Sequence, residues 1–181
     1  MSDFDMPLIA MLDQHELKLF EEADGEIAWT RRAARAVLRN DKGQVAVMNF
    51  SKTGSYKLPG GGIDEGEDII AALHREIEEE TGYLIADIKE LGIVEEDRYV
   101  CHMHQTSYCF TATATKFVGT KLTKKEADEG MNLQWANSID EAISWIESGK
   151  HADEDGSRAG LEMMKLRDTK ILRQAAKDRA L

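Results

Sequence analysis

The spacing of apolar residues along the chain predicts several short strands. Residues 27–39 and 44–50 have strand-like patterns, and the turn signal Asn-Asp-Lys-Gly at residues 40–43 separates them. The two segments are therefore predicted to form a β-hairpin, which the polar loop of residues 51–56 follows. Further strands are predicted downstream, at residues 88–94, 99–103, 106–118 and 133–136.

Helical patterns alternate with these strands. Residues 67–81 have a helical pattern, and Gly82 is placed to end that helix. A second helix is predicted to follow Ser138, which has the capping-box spacing with Glu141. Near the end of the chain, the apolar residues of the segment 161–180 lie close to one helical face.

The N-terminal segment has an ambiguous pattern, in which Pro7 would suit the start of a short helix. The chain is accordingly predicted to contain a mixed α/β core between two helical extensions. The predicted organisation is an N-terminal extension (1–26), a core domain (27–148), a polar linker (149–160) and a C-terminal helix (161–181).

Composition and charge limit the possible partners. The chain has 181 residues, of which 42% are apolar and 31% charged, a composition typical of one soluble globular domain. Its 23 Lys and Arg residues against 34 Asp and Glu residues give a net charge of −11. Because DNA and anionic membranes are also negatively charged, neither bulk nucleic acid nor a membrane is predicted as a partner. Two cysteines and an N-terminus without a basic, apolar leader predict a reducing cytoplasm.

The predicted helix at residues 67–81 carries a cluster of carboxylates. At about 100° per residue, Glu76, Glu79 and Glu80 fall within one arc beside the apolar stripe. Carboxylates one turn apart repel each other, and a hard cation such as Mg²⁺ or Mn²⁺ would lower that cost. A solvated acidic face is the other interpretation, and it is the usual one for an isolated run of Glu. The glycine-rich loop at residues 57–62 favours a ligand site, because glycines bring backbone groups close to a ligand.

The same segment contains a spaced motif. In order, it consists of Gly, five residues, Glu, seven residues, Arg-Glu, an apolar residue, any residue, Glu-Glu, any residue, Gly and an apolar residue. These positions are filled by Gly61, Glu67, Arg75, Glu76, Ile77, Glu79, Glu80, Gly82 and Tyr83. The pattern resembles the Nudix box, and only the aromatic Tyr83 departs from the usual aliphatic residue. The order of strands between residues 27 and 148 is also similar to a Nudix domain.

The resemblance implies a fold and an activity. The fold would be an α/β/α sandwich with a mixed sheet, and the activity would be hydrolysis of the diphosphate linkage of a nucleoside di- or triphosphate derivative by activated water. The ligands of Mg²⁺ or Mn²⁺ would be Glu76, Glu79, Glu80 and the carbonyl of Gly60. Arg75 would orient these carboxylates, and Glu67 would support the start of the helix.

Other roles are less well defined by the motif. The general base would be a Glu of the box or of a later loop, where Glu126 and Glu129 lie, with an exposed charged loop as the alternative. Four residues outside the box are candidates for substrate binding, namely Arg35, Lys52, Lys57 and Tyr56. The alternatives are ordinary surface charge for the three cations and packing for the aromatic ring. Alternation along the first strand places Arg31 on the same face as Arg35 and Arg32 on the other face.

The substrate is left open among nucleoside triphosphates, oxidised nucleotides, ADP-ribose and other sugar nucleotides. ADP-ribose is disfavoured, because enzymes of that type often carry a proline well downstream of the box and this chain has only Pro7 and Pro59. A zinc site is also disfavoured, because no closed four-ligand spacing exists among Cys101, His102, His104 and Cys109.

Two functions other than hydrolysis would use the same fold. One is ligand sensing without catalysis, which normally accompanies a broken Arg-Glu or Glu-Glu pair, and both pairs are intact here. The other is isomerisation of isopentenyl diphosphate, whose cysteine and glutamate have no evident counterparts in this chain. The amphipathic segment 161–180 would pack on its own core or on a second copy, and we expect a homodimer with this segment near the interface.

Overall fold

The structure is a computed structural model that describes residues 5–16, 25–150 and 157–178. Within these ranges eight strands form one mixed sheet, and four α-helices accompany it. The strands are β1 (Leu8–Asp13), β2 (Trp29–Arg39), β3 (Val45–Phe50), β4 (Ser55–Lys57), β5 (Gly60–Gly62), β6 (Tyr83–Arg98), β7 (Met103–Phe117) and β8 (Met131–Ala136). The helices are α1 (Ile69–Thr81), α2 (Lys124–Asp128), α3 (Ile139–Ser148) and α4 (Ser157–Asp178). None of these helices is both long and apolar enough to cross a bilayer.

The sheet is built on the central strands β2 and β7. They run parallel in continuous register, from Trp29 opposite Met103 to Arg39 opposite Thr113. β6 pairs antiparallel with β7, and β1 pairs parallel with β6. The strand order is therefore β1-β6-β7-β2-β3-β4, with β8 attached to β3 and β5 attached to β2. Parallel and antiparallel pairs occur in the same sheet, which confirms the mixed-sheet prediction.

One edge of β2 is divided between two partners. Its middle residues 33–35 pair with β5, where Gly60 lies opposite Arg35, while β3 pairs with it only at Arg39. The N–H of Ala36 also donates to the carbonyl of Pro59 (3.1 Å). Gly60 has a φ of 128°, and a Cβ at this position would collide with the backbone of β2. Glycine is thus required for the loop before β5 to lie this close to the strand.

A layer of helices covers each face of the sheet. On one face, α1 packs against a buried cluster that includes the even-numbered residues Ala34, Ala36 and Leu38 of β2. On the other face, α3 and α4 pack against a second buried cluster that includes Val37. Alternate side chains of β2 therefore enter different cores, as strand geometry requires. The α/β/α sandwich predicted from the resemblance is confirmed.

The N-terminal extension contains a strand where a helix was predicted. Residues 8–13 form β1 along the edge of β6, and the N–H of Ile93 donates to the carbonyl of Pro7 (2.9 Å). Leu12 is buried, while Leu8 and Met11 are exposed. The helix prediction is wrong for these residues because the edge of β6 supplies backbone partners that a local pattern does not reveal. Residues 1–4 and 17–24 of the predicted extension lie outside the described residues.

The structure also differs from three local predictions. The predicted strand at residues 99–103 begins as a 3₁₀ turn over Tyr99–Cys101, and His102 has a φ of 54°. This turn reverses the chain between β6 and β7, so the two strands form a hairpin. Parts of the predicted loops at residues 51–56 and 57–62 are the short strands β4 and β5, because β3 and β2 hold them in extended conformations.

Helix α4 is part of the core. It begins at Ser157, whereas the sequence predicted a start at Leu161 after a linker of residues 149–160. Residues 151–156 of that linker lie outside the described residues. The buried residues of α4 that join the cluster shared with α3 are Met163, Ile171, Leu172 and Ala175. Of the two alternatives for this helix, packing on its own chain is the one observed.

Truncation of Leu172 tests whether α4 contributes to the stability of the whole chain. Leu172 is fully buried, so Leu172→Ala should lower the free energy of unfolding by about 2–5 kcal/mol in urea denaturation. Lys170→Ala changes an exposed residue of the same helix and should alter it by less than about 0.5 kcal/mol. Equal stability of Leu172→Ala and the wild type would mean that α4 unfolds independently of the core.

Candidate active site

The acidic helix α1 is fixed at both ends. Asp68 caps its N-terminus by accepting hydrogen bonds from the N–H groups of Ile70 (2.9 Å) and Ala71 (3.1 Å). Gly82 ends it in the left-handed conformation, with a φ of 75° that favours glycine. Because its apolar side is buried on the sheet, the carboxylates of α1 keep fixed positions relative to β2 and β5.

Glu76 and Glu80 of α1 line a cleft of about 450 Å³. Its other walls come from β2, β3, β4 and β5, from Arg98 at the end of β6, and from β7, α2 and α4. Segments that are far apart in the sequence therefore meet here, and most of the side chains that they contribute are charged.

Glu80 holds the glycine-rich loop to α1. Its side chain is buried, with 2% of the residue exposed. One carboxylate oxygen accepts a hydrogen bond from Lys57 Nζ, and the other accepts one from the N–H of Gly60 (2.9 Å). The carbonyl of Gly60 in turn accepts hydrogen bonds from Lys57 (3.1 Å) and from Arg35 (3.3 Å). The predicted carboxylate and carbonyl ligands are thus neighbours, and two cations lie beside them.

Glu76 lies next to Glu80 in a partly buried position against Gly61. Burial raises the pKa of Glu76, the hydrogen bond from Arg75 Nη1 (2.8 Å) opposes this, and the charge of Glu80 adds to the rise. Two carboxylates whose charges interact, with the Gly60 carbonyl beside them, are a set of hard oxygen donors. This set fits Mg²⁺ or Mn²⁺, which would relieve the repulsion between the carboxylates.

Arg75 clamps the loop that precedes α1. Its guanidinium donates to both oxygens of Glu67 (2.8 Å each) and to the carbonyl of Gly62 (2.9 Å). The N–H of Asp64 also donates to Glu67 (3.0 Å). The hydrogen bonds from Arg75 lower the pKa of Glu67 to about 2. Arg75 therefore joins the loop after β5 to the carboxylate of Glu76.

Glu79 is placed differently from the other two predicted metal ligands. Its side chain is 38% exposed, contacts Arg75 at 3.3 Å and is not among the residues that line the cleft. In the part of the chain that the structure describes, no three Asp, Glu, His or Cys side chains are close enough to form a metal cluster. Glu76, Glu79 and Glu80 are therefore not gathered at one point: Arg75 contacts both Glu76 (2.8 Å) and Glu79 (3.3 Å), while Lys57 pairs with Glu80.

The two candidate bases from the later loop are also separated. Glu126 lines the cleft, and its carboxylate caps α2 by accepting from the N–H of Thr123 (2.8 Å). Glu129 is the C-cap residue of α2, lies 3.9 Å from Lys125, and is not among the residues that line the cleft.

Two of the four predicted substrate-binding residues line the cleft. Arg35 and Lys57 do so, and both contact Gly60. Lys52 is exposed on the turn after β3, away from the cleft lining. Tyr56 packs against the core beside Trp145, with ring centroids 6.2 Å apart. For Tyr56, the structure thus agrees with the packing alternative.

Several cleft residues were not found from the sequence. Three polar ones among them are Arg98, Gln105 and Arg167, which come from β6, β7 and α4. Glu96 and Gln105 lie opposite each other on paired strands, and both side chains are buried on the α4 side. The signal available in the sequence was a polar residue at an inward-facing position on each of two strands. The partner of Glu96 in α4, Arg167, is far away in the sequence, so the contact could not be predicted from a local pattern.

The residues of the disfavoured zinc site have other contacts. His104 lies between Asp97 (2.6 Å) and Glu95 (2.9 Å), and these contacts raise its pKa. His102 contacts the carbonyl of Glu26 (3.1 Å), and Cys109 is buried in the core. Burial raises the pKa of the Cys109 thiol to about 12, so it is protonated at neutral pH and is a poor metal ligand.

Glu67→Gln tests the Arg75 clamp through the pH dependence of stability. The pKa of Glu67 is about 2 in the folded chain and about 4.3 in an unfolded one, so its stabilisation is complete above the unfolded value and is lost as the pH falls towards 2. The difference in unfolding free energy between the wild type and Glu67→Gln should be largest near about pH 6 and shrink between about pH 4 and 2. Urea denaturation at several pH values measures it.

Asp64→Asn is the matched control for this experiment. Asp64 lies on the same loop, but it is 82% exposed and 4.0 Å from Arg75. Its substitution should change the stability little at any of these pH values. A difference between the wild type and Glu67→Gln that stays constant with pH would contradict the clamp.

Comparison with known proteins identifies the domain. A sequence profile of the NUDIX domain matches residues 29–154. The RNA pyrophosphohydrolase of Ruthia magnifica subsp. Calyptogena magnifica is 50% identical over 56 residues, which are 31% of each chain. A putative 8-oxo-dGTP diphosphatase of Bacillus subtilis (strain 168) is 30% identical over 73 residues, 40% of this chain and 49% of the relative. These matches span less than half the length of either relative.

Solved structures share the fold. A NUDIX hydrolase from Nitrosomonas europaea superposes with a TM-score of 0.61 at 19% identity, over 82% of this chain and 90% of that one. A MutT NUDIX hydrolase from Burkholderia pseudomallei gives a TM-score of 0.51 at 21% identity, over 74% of this chain and 97% of that one. Because the profile matches most of the chain, including the complete box around α1, this chain belongs to the NUDIX family.

Proposed function

We propose that this chain is a metal-dependent hydrolase that cleaves the diphosphate linkage of a nucleoside di- or triphosphate derivative. The observation that carries the proposal is the cleft, where Glu76, Glu80 and the loop of Gly60 lie together with several cations. The names of the two relatives, a pyrophosphohydrolase and a diphosphatase, support the same reaction class. The intact box favours hydrolysis over a catalytically silent sensor.

The metal site we propose uses Glu76, Glu80 and the carbonyl of Gly60, with Glu79 one turn of helix from Glu76. When bound there, Mg²⁺ or Mn²⁺ would neutralise diphosphate oxygens and lower the pKa of the attacking water. Lys57 and Arg35 already contact the Gly60 carbonyl, so both are placed to donate hydrogen bonds to phosphate oxygens beside it. Arg75 keeps the Glu76 carboxylate in position through its contact of 2.8 Å.

The general base of the later loop would be Glu126. Its carboxylate lines the cleft, whereas that of Glu129 does not. A carboxylate that accepts a proton from water must lie within reach of the reacting atoms, directly or through one water. The proposal therefore assigns proton acceptance to Glu126 and leaves Glu129 as a surface residue at the end of α2.

The proposed homodimer depends on which surfaces of the chain are left free. The buried face of α4 is used within the chain, so a homodimer would need another surface. Light scattering of the full chain at micromolar concentration distinguishes monomer from dimer.

A cytoplasmic location fits the exposed free thiol of Cys101, which an oxidising compartment would modify.

Substitution of Glu80 tests the metal site. Glu80→Gln should lower kcat for nucleotide hydrolysis by at least about a hundredfold, because an amide is a poorer ligand for Mg²⁺ than a carboxylate. Glu78→Gln is the matched control, since Glu78 is on the same helix and pairs with Lys121 (2.7 Å) rather than lining the cleft.

A screen of nucleotides with Mg²⁺ or Mn²⁺, with and without EDTA, provides the assay. Full turnover in EDTA would exclude the metal mechanism, and tight nucleotide binding without turnover would favour the sensor.

The assignment of the base is tested by a second pair of variants. Glu126→Gln should lower kcat about tenfold to a thousandfold while the Mg²⁺ concentration for half-maximal activity stays unchanged. Glutamine still suits the capping position of α2, so the fold should be retained. Glu129→Gln should have wild-type kcat. If Glu126→Gln keeps full turnover, the base belongs to the box.

A further inference from the structure

The cleft has a second wall that the box does not supply. Four arginines line it, namely Arg31 and Arg35 of β2, Arg98 at the end of β6, and Arg167 of α4. Arg31 lies directly beside the box loop, since a Cβ on Gly62 would be 3.3 Å from its Nη2 atom. Arg167 follows the last residue of the NUDIX match, residue 154, so α4 adds a side chain to the cleft from outside the matched segment.

A buried polar network holds this wall in place. Arg98 and Arg167 both contact Glu96, with Arg167 Nη1 at 3.6 Å from its Oε2 atom. Arg167 Nε also donates to Asp168 (2.7 Å), and Gln105 donates to Glu96 (2.6 Å). Glu96, Asp168 and Arg167 are almost fully buried, so Arg167 positions its neighbours, while Arg31 is exposed at the mouth of the cleft.

The wall contains more cations than carboxylates. Among the described residues, the carboxylates in contact with the four guanidinium groups are Glu96 and Asp168. Three carboxylates also line the cleft: Glu80 pairs with Lys57, Glu76 shares Arg75 with Glu67 and Glu79, and Glu126 caps α2. The arginines also repel one another: burial, together with the positive charge of Arg167, lowers the pKa of Arg35 to about 10.

We propose that this arginine wall binds the terminal phosphate group of the substrate, beyond the bond that is cleaved. The inference rests on the hydrolase function proposed above, and it names the substrate class as nucleoside triphosphates or other chains that end in a phosphate monoester. A terminal phosphate carries about two negative charges and can accept several hydrogen bonds, which planar guanidinium groups supply in pairs. A sugar in the same place would leave the excess positive charge of the wall unpaired.

The assignment divides the cleft into two subsites. The box and its metal would hold the linkage that is broken, and Arg31 and Arg98 would contact the phosphate that leaves with the pyrophosphate or phosphate product. Arg167 is a positioning residue that holds Glu96 and adds its charge to the wall. No bond is made or broken by the arginines, so their removal should act on binding more than on the chemical step.

Arg31→Gln is the decisive variant, because Arg31 is exposed and its loss leaves no buried carboxylate without a partner. With Mg²⁺ present, its KM for a nucleoside triphosphate should rise about tenfold while kcat stays within about twofold, as expected for the loss of one charge-assisted hydrogen bond. The KM for a nucleoside diphosphate sugar with the same base should change far less. Arg32→Gln is the matched control, since Arg32 is the next residue on β2, points to the other face and lies over the ring of Tyr108 (5.3 Å).

A binding measurement without turnover separates this inference from the proposed function. In EDTA, titration calorimetry should show inorganic tripolyphosphate binding to the wild type and to Arg32→Gln, and binding weakened about tenfold in Arg31→Gln and Arg98→Gln. If neither nucleotide is hydrolysed by the wild type, the hydrolase proposal fails, while this pattern of anion binding would still support the wall. Wild-type affinity in Arg31→Gln, or an equal loss of activity on both nucleotides, would overturn the inference. Should Arg98→Gln prove unstable in a thermal melt, Arg31→Gln alone decides.

Discussion

The backbone of residues 58–60 is the point on which the site depends. The N–H of Leu58 donates to Asp168 of α4 (2.8 Å), and the N–H of Gly60 donates to Glu80 of α1 (2.9 Å). The carbonyl of Gly60 accepts from Arg35 of β2 (3.3 Å). A helix from each layer and the central strand thus hold the same short segment. A larger residue at position 60 would displace this segment from β2, and with it both the carbonyl and the carboxylate that we assign to the metal.

The contribution of α4 follows from this constraint. Arg167 and Asp168 are adjacent in the sequence, and one extends towards Glu96 while the other reaches the backbone of Leu58. Burying a charged pair costs solvation free energy, which only well-formed hydrogen bonds offset, and removing one member leaves the other unpaired in the interior. Here the same two residues also hold the backbone of Leu58 and the carboxylate of Glu96 in place, so the buried charges fix the geometry of the cleft. Helix α4 is therefore connected to the cleft through polar contacts as well as to the core through apolar ones.

Local features of the sequence predicted local structure well. Gly82 ends α1, Ser138 caps α3, and the spacing of the box identified the family. These signals work because capping and helical periodicity depend on residues within a few positions of each other. The helical wheel also placed Glu76, Glu79 and Glu80 on one side of α1, but it did not separate Glu79 from the cleft. In the structure Glu79 contacts Arg75 and is not among the residues that line the cleft.

Long-range features were beyond the same reasoning. The strand β1 exists because β6 has an edge to pair with, and a pattern over residues 6–22 contains no information about that edge. The arginine wall combines positions 31, 35, 98 and 167, which the sheet order and the docking of α4 bring together. Each arginine alone is typical of a solvated surface. Their common location becomes visible only when the register of β6 on β7 and the packing of α4 are known.

The charge distribution of the chain affects which anionic ligands can reach the arginine wall. The net charge of −11 repels anions at long range, although salt at about 0.1 M screens this beyond about 10 Å. Inside the cleft Arg35, Arg98 and Arg167 are largely removed from water, whereas Arg31 is exposed at its mouth. The attraction of the buried guanidinium groups for a phosphate is therefore less screened. A small phosphate compound fits a cleft of about 450 Å³ and reaches them, whereas a duplex nucleic acid meets the acidic exterior first. An acidic chain can thus favour small anions over large ones, and in the function proposed here a bound metal would neutralise the linkage while the arginines neutralise its terminal phosphate.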